Sequence, residues 1–275
     1  MKVRLGVFDM DGTCYRDSLT IDLFDRLRAK GVLKDERFRD VDRLKRLWKD
    51  RQTSDAYETY VRALVEIIEN GAFSAPVSIV SSVCNELVEE KGRQVYEFTR
   101  ELVTTLRDLG YTLAAISGSP RPAVEAFVRP FDFKIIRATE YEVVDGFYTG
   151  RIAARPVDDK ATALQEIIDS CGAKAEDVIA VGDTGSDYGM LRAVGYPIAF
   201  NPSLALKRCI RSEGVPVWGR PIGIVTQRKD DVTIASFQPD QAYRPRLVEC
   251  RLSHILPKDA AEKLGARLGS MYQYP

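Results

Sequence analysis

The sequence VRLGVFDMDGT at residues 3–13 decides how the rest of the chain is interpreted. Its apolar part, Val3–Phe8, is short and stops at the polar run Asp9–Thr13. A short apolar run that ends in a polar loop is typical of a buried parallel strand. In open α/β sheets, ligands bind beyond the carboxyl ends of such strands. We therefore predict that Asp9 and Asp11 lie at the ligand-binding edge of a parallel sheet.

A long helical segment follows this motif. From about Ser18 to Leu109 the apolar residues recur at the three- and four-residue spacing of helices that face a core. Gly31 and Asn70-Gly71 are typical stop signals, and Ser54 is a typical start signal for the third of five predicted helices. The segment is therefore predicted to be a helical insertion directly after the first strand.

After Gly110 the pattern changes to short apolar strands that alternate with helices. This alternation predicts a parallel sheet with right-handed crossovers. Asp145-Gly146 predicts a hairpin with a tight turn. The predicted fold class is α/β, with a Rossmann-like parallel-sheet core and an all-helical cap inserted after the first strand. The predicted strands of this region are Thr112–Ile116, Lys134–Ala138, Val178–Val181 and Pro197–Phe200.

These patterns divide the chain into three parts. We predict a hydrolase-type α/β core from residues 1–16 and 100–225, and a helical cap from residues 17–99. Residues 226–275 form a C-terminal extension with Pro239, Pro245 and Pro257, strand-like segments and one helix near Asp259–Leu268. The role of this extension stays open.

Composition narrows the function. The chain has 275 residues, 45% of them hydrophobic, and forty basic residues balance forty acidic ones. This balance gives no reason to expect nucleic acid as a partner. No apolar run approaches a membrane span, and no signal region precedes the first strand, so neither a membrane nor an export route is expected. Five scattered cysteines without a C-x-x-C pair fit reduced thiols in the cytoplasm. A single histidine, His254, does not favour serine-hydrolase or zinc chemistry, so catalysis is expected from carboxylates.

Polar residues with related chemistry follow several of the predicted strands. Clustered carboxylates repel one another unless a cation neutralises them, and all-oxygen ligands favour Mg²⁺. A serine, backbone N–H groups and a lysine nearby would bind an anion. A carboxylate nucleophile beside Mg²⁺ and an anion site is suited to aspartyl-phosphate chemistry. The residues concerned are Asp9, Asp11, Ser117, Lys160, Asp183 and Asp187.

In this order, these residues resemble the four motifs of the haloacid dehalogenase superfamily. The helical insertion after the first motif is similar to the cap of the phosphoserine-phosphatase-like branch. The resemblance covers about residues 3–225. The motifs that carry it are Asp9–Thr13, Ile116–Pro120, Lys160, and Gly182-Asp183 with Asp187.

The resemblance implies a Mg²⁺-dependent phosphatase that acts on a small phosphorylated metabolite. Asp9 would attack phosphorus and carry the phosphoryl group. Asp11 would protonate the leaving oxygen and then activate water. The dehalogenase branch lacks this second aspartate, so Asp11 does not favour dehalogenation.

The resemblance also implies the binding residues. The phosphoryl group would be bound by Gly12, Thr13, Ser117, Gly118 and Lys160. The metal would be held by Asp9, by the backbone carbonyl of Asp11 and by Asp183, with Asp187 supporting these ligands from behind.

Two positions depart from the phosphoserine phosphatase pattern. Ser18 stands where those enzymes usually have a glutamate that binds the substrate amine, with Asp17 beside it. Ser186 stands where they typically have asparagine. Both departures disfavour phosphoserine as the substrate.

Other interpretations stay open at this stage. The chain fits a phosphotransferase with an alcohol acceptor, or a non-catalytic phosphate-ligand binding module, although the latter would not need Asp11. Arg16, Asp17, Tyr57 and Tyr60 are candidates for the pocket wall as well as for the cap core or surface. The basic run Arg37–Arg51 is interpreted as a solvated cap face, with contact to an anionic substrate as the alternative. Oligomeric state stays open.

Overall fold

The structure is a computed structural model, and it describes residues 3–50, 56–212, 218–229, 231–239 and 245–272. Strands and helices alternate after the cap, as predicted. The strands are β1 Leu5–Phe8, β2 Ala75–Pro76, β3 Thr112–Pro120, β4 Ile135–Val144, β5 Phe147–Ala154, β6 Ile179–Gly182, β7 Tyr196–Phe200, β8 Gly223–Arg228, β9 Asp231–Pro239 and β10 Pro245–Glu249. The helices are α1 Leu19–Ala29, α2 Phe38–Lys49, α3 Ala56–Ile67, α4 Val77–Lys91, α5 Glu97–Asp108, α6 Arg121–Val128, α7 Lys160–Cys171, α8 Tyr188–Arg192, α9 Leu204–Ser212, α10 Leu252–Ile255 and α11 Lys258–Leu268.

The strands form one sheet in the order β10-β9-β8-β7-β6-β1-β3-β4-β5-β2. Its middle six strands, from β8 to β4, are parallel, and the outer strands are antiparallel. The first strand lies at the centre, and its four residues are all buried. The predicted α/β class is therefore confirmed.

The cap lies between β1 and α5, and the two chain segments that join it to the core run side by side. The Arg16 backbone N–H donates to the Gln94 carbonyl at 2.9 Å, and Tyr15 forms an antiparallel bridge with Val95. Helices α1 to α4 make up most of the cap, as predicted. The predicted start signal Ser54 lies outside the described residues.

One element departs from the all-helical expectation. The two-residue strand β2 pairs with β5 of the core, with Ala75 opposite Tyr148 and Pro76 opposite Phe147. A two-residue strand is too short for any apolar period, so its pairing could not be seen in the sequence. The predicted hairpin is present between β4 and β5, with positive φ at Asp145 (48°) and Gly146 (80°). This backbone is typical of a type I′ turn.

The C-terminal extension continues the core. Strand β8 pairs in parallel with β7 and passes through the predicted boundary at residue 225. Helix α11, predicted near Asp259–Leu268, packs against α5, which begins before the predicted boundary at residue 100. The division into core, cap and extension stays a prediction, and its boundaries at residues 100 and 225 fall inside helix α5 and strand β8. No helix in the described ranges is both long and apolar enough for a bilayer.

We predict that the extension contributes to the stability of the core. Leu264 in α11 is fully buried, so Leu264→Ala is expected to lower the free energy of unfolding by about 2–4 kcal/mol. Urea denaturation measures this change. The control is Leu247→Ala on β10, where the leucine is 50% exposed, and we expect less than about 0.5 kcal/mol there. Equal effects of the two variants would contradict the prediction.

Candidate active site

Strand pairing brings the predicted site residues to one edge of the sheet. Phe8 on β1 lies opposite Ala115 on β3 and Val181 on β6. The residues that follow Phe8 therefore lie beside the ends of both neighbouring strands, and the Asp9 N–H donates to the Val181 carbonyl at 2.9 Å. This edge is where ligands bind in open α/β sheets.

Lys160 is the positive charge at this edge. Its side chain is 2% exposed, and its Nζ lies 2.6 Å from both Asp9 Oδ1 and Asp187 Oδ1. Burial opposes the charged form, but the two carboxylates outweigh it and raise the pKa of Lys160, so an ammonium is retained. The lysine is the first residue of α7, which Asp159 caps by accepting the Thr162 N–H at 3.0 Å.

Asp187 organises the loop after β6. Its Oδ1 binds Lys160, and its Oδ2 accepts the backbone N–H groups of Asp183 at 3.0 Å and Thr184 at 2.8 Å. Both oxygens are therefore already in use. Gly182 is required here because a Cβ at that position would lie 2.5 Å from Cβ of Asp187.

Asp183 is held against the loop after β1. The Thr13 hydroxyl donates to Asp183 Oδ1 at 3.1 Å. Gly12 has a φ of +78°, and a Cβ there would lie 2.3 Å from Asp183 Oδ2. Gly12 is thus needed both for its backbone conformation and for the close approach of the carboxylate. The structure turns Thr13 towards Asp183 and buries it fully, although the resemblance places it among phosphate-binding residues.

The carboxylates form a group that can hold a cation. One oxygen each of Asp9, Asp183 and Asp187 lies within 4.8 Å of the other two. Burial, together with the neighbouring carboxylates, raises the pKa of both Asp9 and Asp183. A hard divalent cation relieves this repulsion, and carboxylate oxygens are the ligands Mg²⁺ prefers. Since Asp187 has no oxygen to spare, Asp9 and Asp183 are the side chains that fit direct coordination.

Asp11 is separated from this group by its own hydrogen bonds. Its Oδ1 accepts the Leu19 backbone N–H at 2.6 Å, and its Oδ2 accepts the Ser119 hydroxyl. Burial raises the pKa of Asp11 to about 6, although both hydrogen bonds oppose the shift. A carboxyl that titrates near neutrality is suited to general acid and base catalysis.

Ser117 and Gly118, which are predicted to bind an anion, lie at the end of β3. The pairing of β3 with β4 is irregular between Ile116 and Pro120, which exposes Gly118 to the cavity described below. Ser117 is fully buried, and its Oγ accepts the Ser119 N–H at 3.0 Å. The Gly118 carbonyl accepts the Thr139 hydroxyl at 2.7 Å.

A cavity of about 760 Å³ lies between this edge and the cap. Arg16 and Asp17 line it, as considered from the sequence. Lys45 and Lys49 also reach it, so the basic run is not only a solvated face. Tyr60 instead packs in the cap core, with its ring 5.6 Å from that of Trp48. The side chain of Tyr57 lies outside the described residues.

Several cavity residues carried no signal in the sequence. Arg155 before α7 forms an ion pair with Glu69 of the cap, and both line the cavity. Ser119 is part of the motif Ile116–Pro120, but its contact is with Asp11, which lies 108 residues away in the sequence. Only the geometry of the fold reveals such contacts. His254 lies on α10, exposed, and its Nδ1 accepts the Arg251 N–H, in line with an ordinary surface role. All five cysteines are free.

Comparison with known proteins identifies the family. The profile of the haloacid dehalogenase-like hydrolases matches residues 7–192. A phosphoserine phosphatase of Mycobacterium tuberculosis is 34% identical over 48% of this chain and 31% of its own length. Another, of Archaeoglobus fulgidus, is 29% identical over 74% of this chain and 54% of its own length. The chain thus spans between about a third and about half of these two relatives.

Solved structures show the same fold. A Bordetella pertussis protein of unknown function superposes with a TM-score of 0.61 at 23% identity, over 78% of this chain and 98% of its own. A phosphoserine phosphatase solved as an analogue of its phospho-aspartyl intermediate gives 0.52 at 22% identity, over 76% and 91%. The α/β core, the inserted cap and the carboxylates at the strand ends are together the features that define one class of hydrolases. The chain belongs to the haloacid dehalogenase-like hydrolase family, as the motifs predicted.

The buried carboxylates predict how stability depends on pH without metal. Asp9, Asp11 and Asp183 have pKa values above those of an unfolded chain, so the folded state retains protons longer. In chelator, the free energy of unfolding is therefore expected to fall as pH rises from about 4 to about 8, by up to about 1.4 kcal/mol per pH unit for each such proton.

The Asp183→Asn variant removes one of these carboxylates and should flatten the slope. The surface variant Asp145→Asn makes the same chemical change at an exposed turn and should leave the slope unchanged. Urea denaturation at several pH values compares the three proteins. A wild-type stability that rises with pH over this range would refute the prediction.

Proposed function

We propose that this protein is a Mg²⁺-dependent phosphatase that hydrolyses a small-molecule phosphomonoester through a phosphoaspartate on Asp9. One observation carries the proposal. The Asp9 carboxylate is buried at the cavity floor, its Oδ1 is bound by Lys160 Nζ at 2.6 Å, and Asp183 lies beside it. The curated relatives above are named as phosphoserine phosphatases, which supports phosphomonoester chemistry.

The first step forms the bond between an Asp9 oxygen and phosphorus and breaks the bond from phosphorus to the ester oxygen. Asp11 gives its proton to the departing alcohol. Lys160 binds Oδ1 of Asp9, so that Oδ2 is left to attack the substrate. Mg²⁺ held by Asp9, Asp183 and the Asp11 backbone carbonyl would supply positive charge to the phosphoryl oxygens.

The second step returns the enzyme to its starting state. Asp11, now a carboxylate, takes a proton from water as the water attacks phosphorus and releases Asp9. Both steps need Asp11 in contact with the reacting oxygen, once as acid and once as base. Gly118 lines the cavity beside Asp11 and fits the phosphoryl-binding role, with Gly12, Ser117 and Lys160 as further groups. For Thr13 we propose instead that it positions Asp183, because its hydroxyl is directed there.

The substrate is proposed to be a small phosphorylated metabolite, and two positions disfavour phosphoserine itself. Ser18 caps α1 by accepting the Ile21 N–H at 3.4 Å and presents no carboxylate to a substrate amine. Ser186 is engaged with the Thr184 hydroxyl at 2.8 Å.

The free cysteines support a cytoplasmic location.

The nucleophile is tested with Asp9→Asn. This variant is expected to lower Mg²⁺-dependent hydrolysis of an aryl phosphate by more than about 10³-fold, because an amide does not attack phosphorus. Asp145→Asn serves again as the surface control. Full activity of Asp9→Asn would rule out the mechanism.

The same assay separates the rival functions. Added alcohol that is recovered as a phosphate ester identifies a phosphotransferase. Failure of every phosphorylated metabolite in a screen, despite Mg²⁺ binding, identifies a binding module.

The metal site is tested with Gly12→Ala. A methyl group at this position displaces Asp183, so Mg²⁺ affinity is expected to fall by about 10-fold to 100-fold. Gly110→Ala is the matched control, because Gly110 has nearly the same φ (+77°) but open space around its Cβ position. It carries the same backbone strain without touching the site. Calorimetric titration with Mg²⁺ compares them, and equal affinities would exclude the proposed role of Asp183.

A further inference from the structure

A chain of hydroxyl groups joins the catalytic carboxyl of Asp11 to the cap. The Ser119 hydroxyl donates to Asp11 Oδ2. The Thr20 hydroxyl lies 2.8 Å from Ser119 Oγ, and the Thr20 N–H donates to the same oxygen at 3.1 Å. Ser119 is fully buried, and Thr20 is 8% exposed. Neither residue has a part in the steps described above.

We propose that Ser119, backed by Thr20, is a positioning residue that holds Asp11 for proton transfer to the leaving alcohol. This inference rests on the proposed phosphatase function. It adds a residue from the end of β3 and one from the cap helix α1 to the machinery of that reaction.

Counting protons shows why a hydroxyl suits this position. Ser119 has one proton to donate, and it goes to the Asp11 carboxylate. Because this proton is used on Asp11, the Thr20 hydroxyl must donate to Ser119 Oγ, as the Thr20 N–H also does. In the first step the proton of Asp11 is directed to the leaving oxygen, and Oδ2 keeps a lone pair that accepts from the Ser119 hydroxyl. The contact therefore survives both protonation states that the two reaction steps require.

The other partner of Asp11 is a donor as well. The Leu19 N–H, at 2.6 Å from Oδ1, can only donate and therefore always favours an unprotonated Oδ1. Together the two contacts fix both oxygens and stop rotation of the carboxyl group. Leu19 and Thr20 are the first two residues of α1, so the cap contributes one of the two direct contacts of Asp11 and supports the other.

Ser119 is itself held by the phosphate-binding segment. Its N–H donates to Ser117 Oγ at 3.0 Å, within the irregular end of β3. Three successive residues thus have different tasks, since Ser117 and Gly118 are the residues proposed to bind the phosphoryl group while Ser119 contacts the proposed proton donor Asp11. A side chain is needed at the third position only if Asp11 must be held.

The test compares leaving groups, because protonation matters little when the departing oxygen is acidic. The value of kcat/KM, which reports the steps up to formation of phosphoaspartate, is measured for alkyl phosphates and for aryl phosphates up to 4-nitrophenyl phosphate. In Ser119→Ala we expect a loss of about 10-fold to 100-fold for alkyl esters but less than about 3-fold for 4-nitrophenyl phosphate. The dependence of log kcat/KM on leaving-group pKa should therefore steepen.

Thr20 gives a second test that keeps the volume of the side chain. Thr20→Val removes the hydroxyl and should shift the leaving-group dependence in the same direction, whereas Thr20→Ser retains the hydroxyl and should not. Ser170→Ala, at the far end of α7, is the control for a serine that contacts only its own helix.

The outcomes separate this inference from the function on which it rests. A wild-type protein that hydrolyses no phosphate ester overturns both. An active wild-type protein whose leaving-group dependence is the same in folded Thr20→Val and Ser119→Ala overturns the positioning role alone. An equal loss for all esters also overturns it, because a purely structural defect does not distinguish leaving groups.

Discussion

The contact between the Lys160 ammonium and two buried carboxylates is the constraint on which the rest of the site depends. Burying Asp9 and Asp187 without a counter-charge would be costly, and a single lysine serves both at 2.6 Å. This requirement sets where α7 begins. It also leaves Asp187 free to bind backbone N–H groups with its second oxygen, which shapes the loop that carries Asp183. The Lys160 ammonium thus fixes the positions of three segments at the sheet edge: the residues after β1, the start of α7 and the loop after β6.

The core and the cap have different physical tasks in this arrangement. The core holds the charged side chains in fixed positions, because hydrogen bonds define the strand ends and helix starts that carry them. The cap closes the cavity and also supplies the N–H of Leu19 and the hydroxyl of Thr20 towards Asp11. The residues proposed to hold the metal therefore depend on the core alone, whereas the residues around the proposed proton donor Asp11 come from both parts.

The sequence predicted those features that depend on neighbouring residues. The strand before Asp9, the hairpin at Asp145-Gly146 and the helix near Asp259–Leu268 all follow from local patterns, and the structure contains each of them. The pairing of β2 with β5 and the contact of Thr20 with Ser119, 99 residues away, depend on how distant segments pack. No local period records them. The basic run was ambiguous for the same reason, since a helix pattern does not say which lysines face a cavity.

The side-by-side linkers of the cap have a consequence for how this enzyme can diversify. The Arg16 N–H meets the Gln94 carbonyl at 2.9 Å, so the inserted segment leaves and re-enters the core at nearly one point. An exchange of the insertion for one of another size would leave the core topology intact. A functional graft would nevertheless have to reproduce the first turn of α1, because Leu19 and Thr20 reach the acid of the core. Leu19 and Thr20 would therefore have to be kept, whereas the rest of the inserted segment could vary and give new substrate specificity.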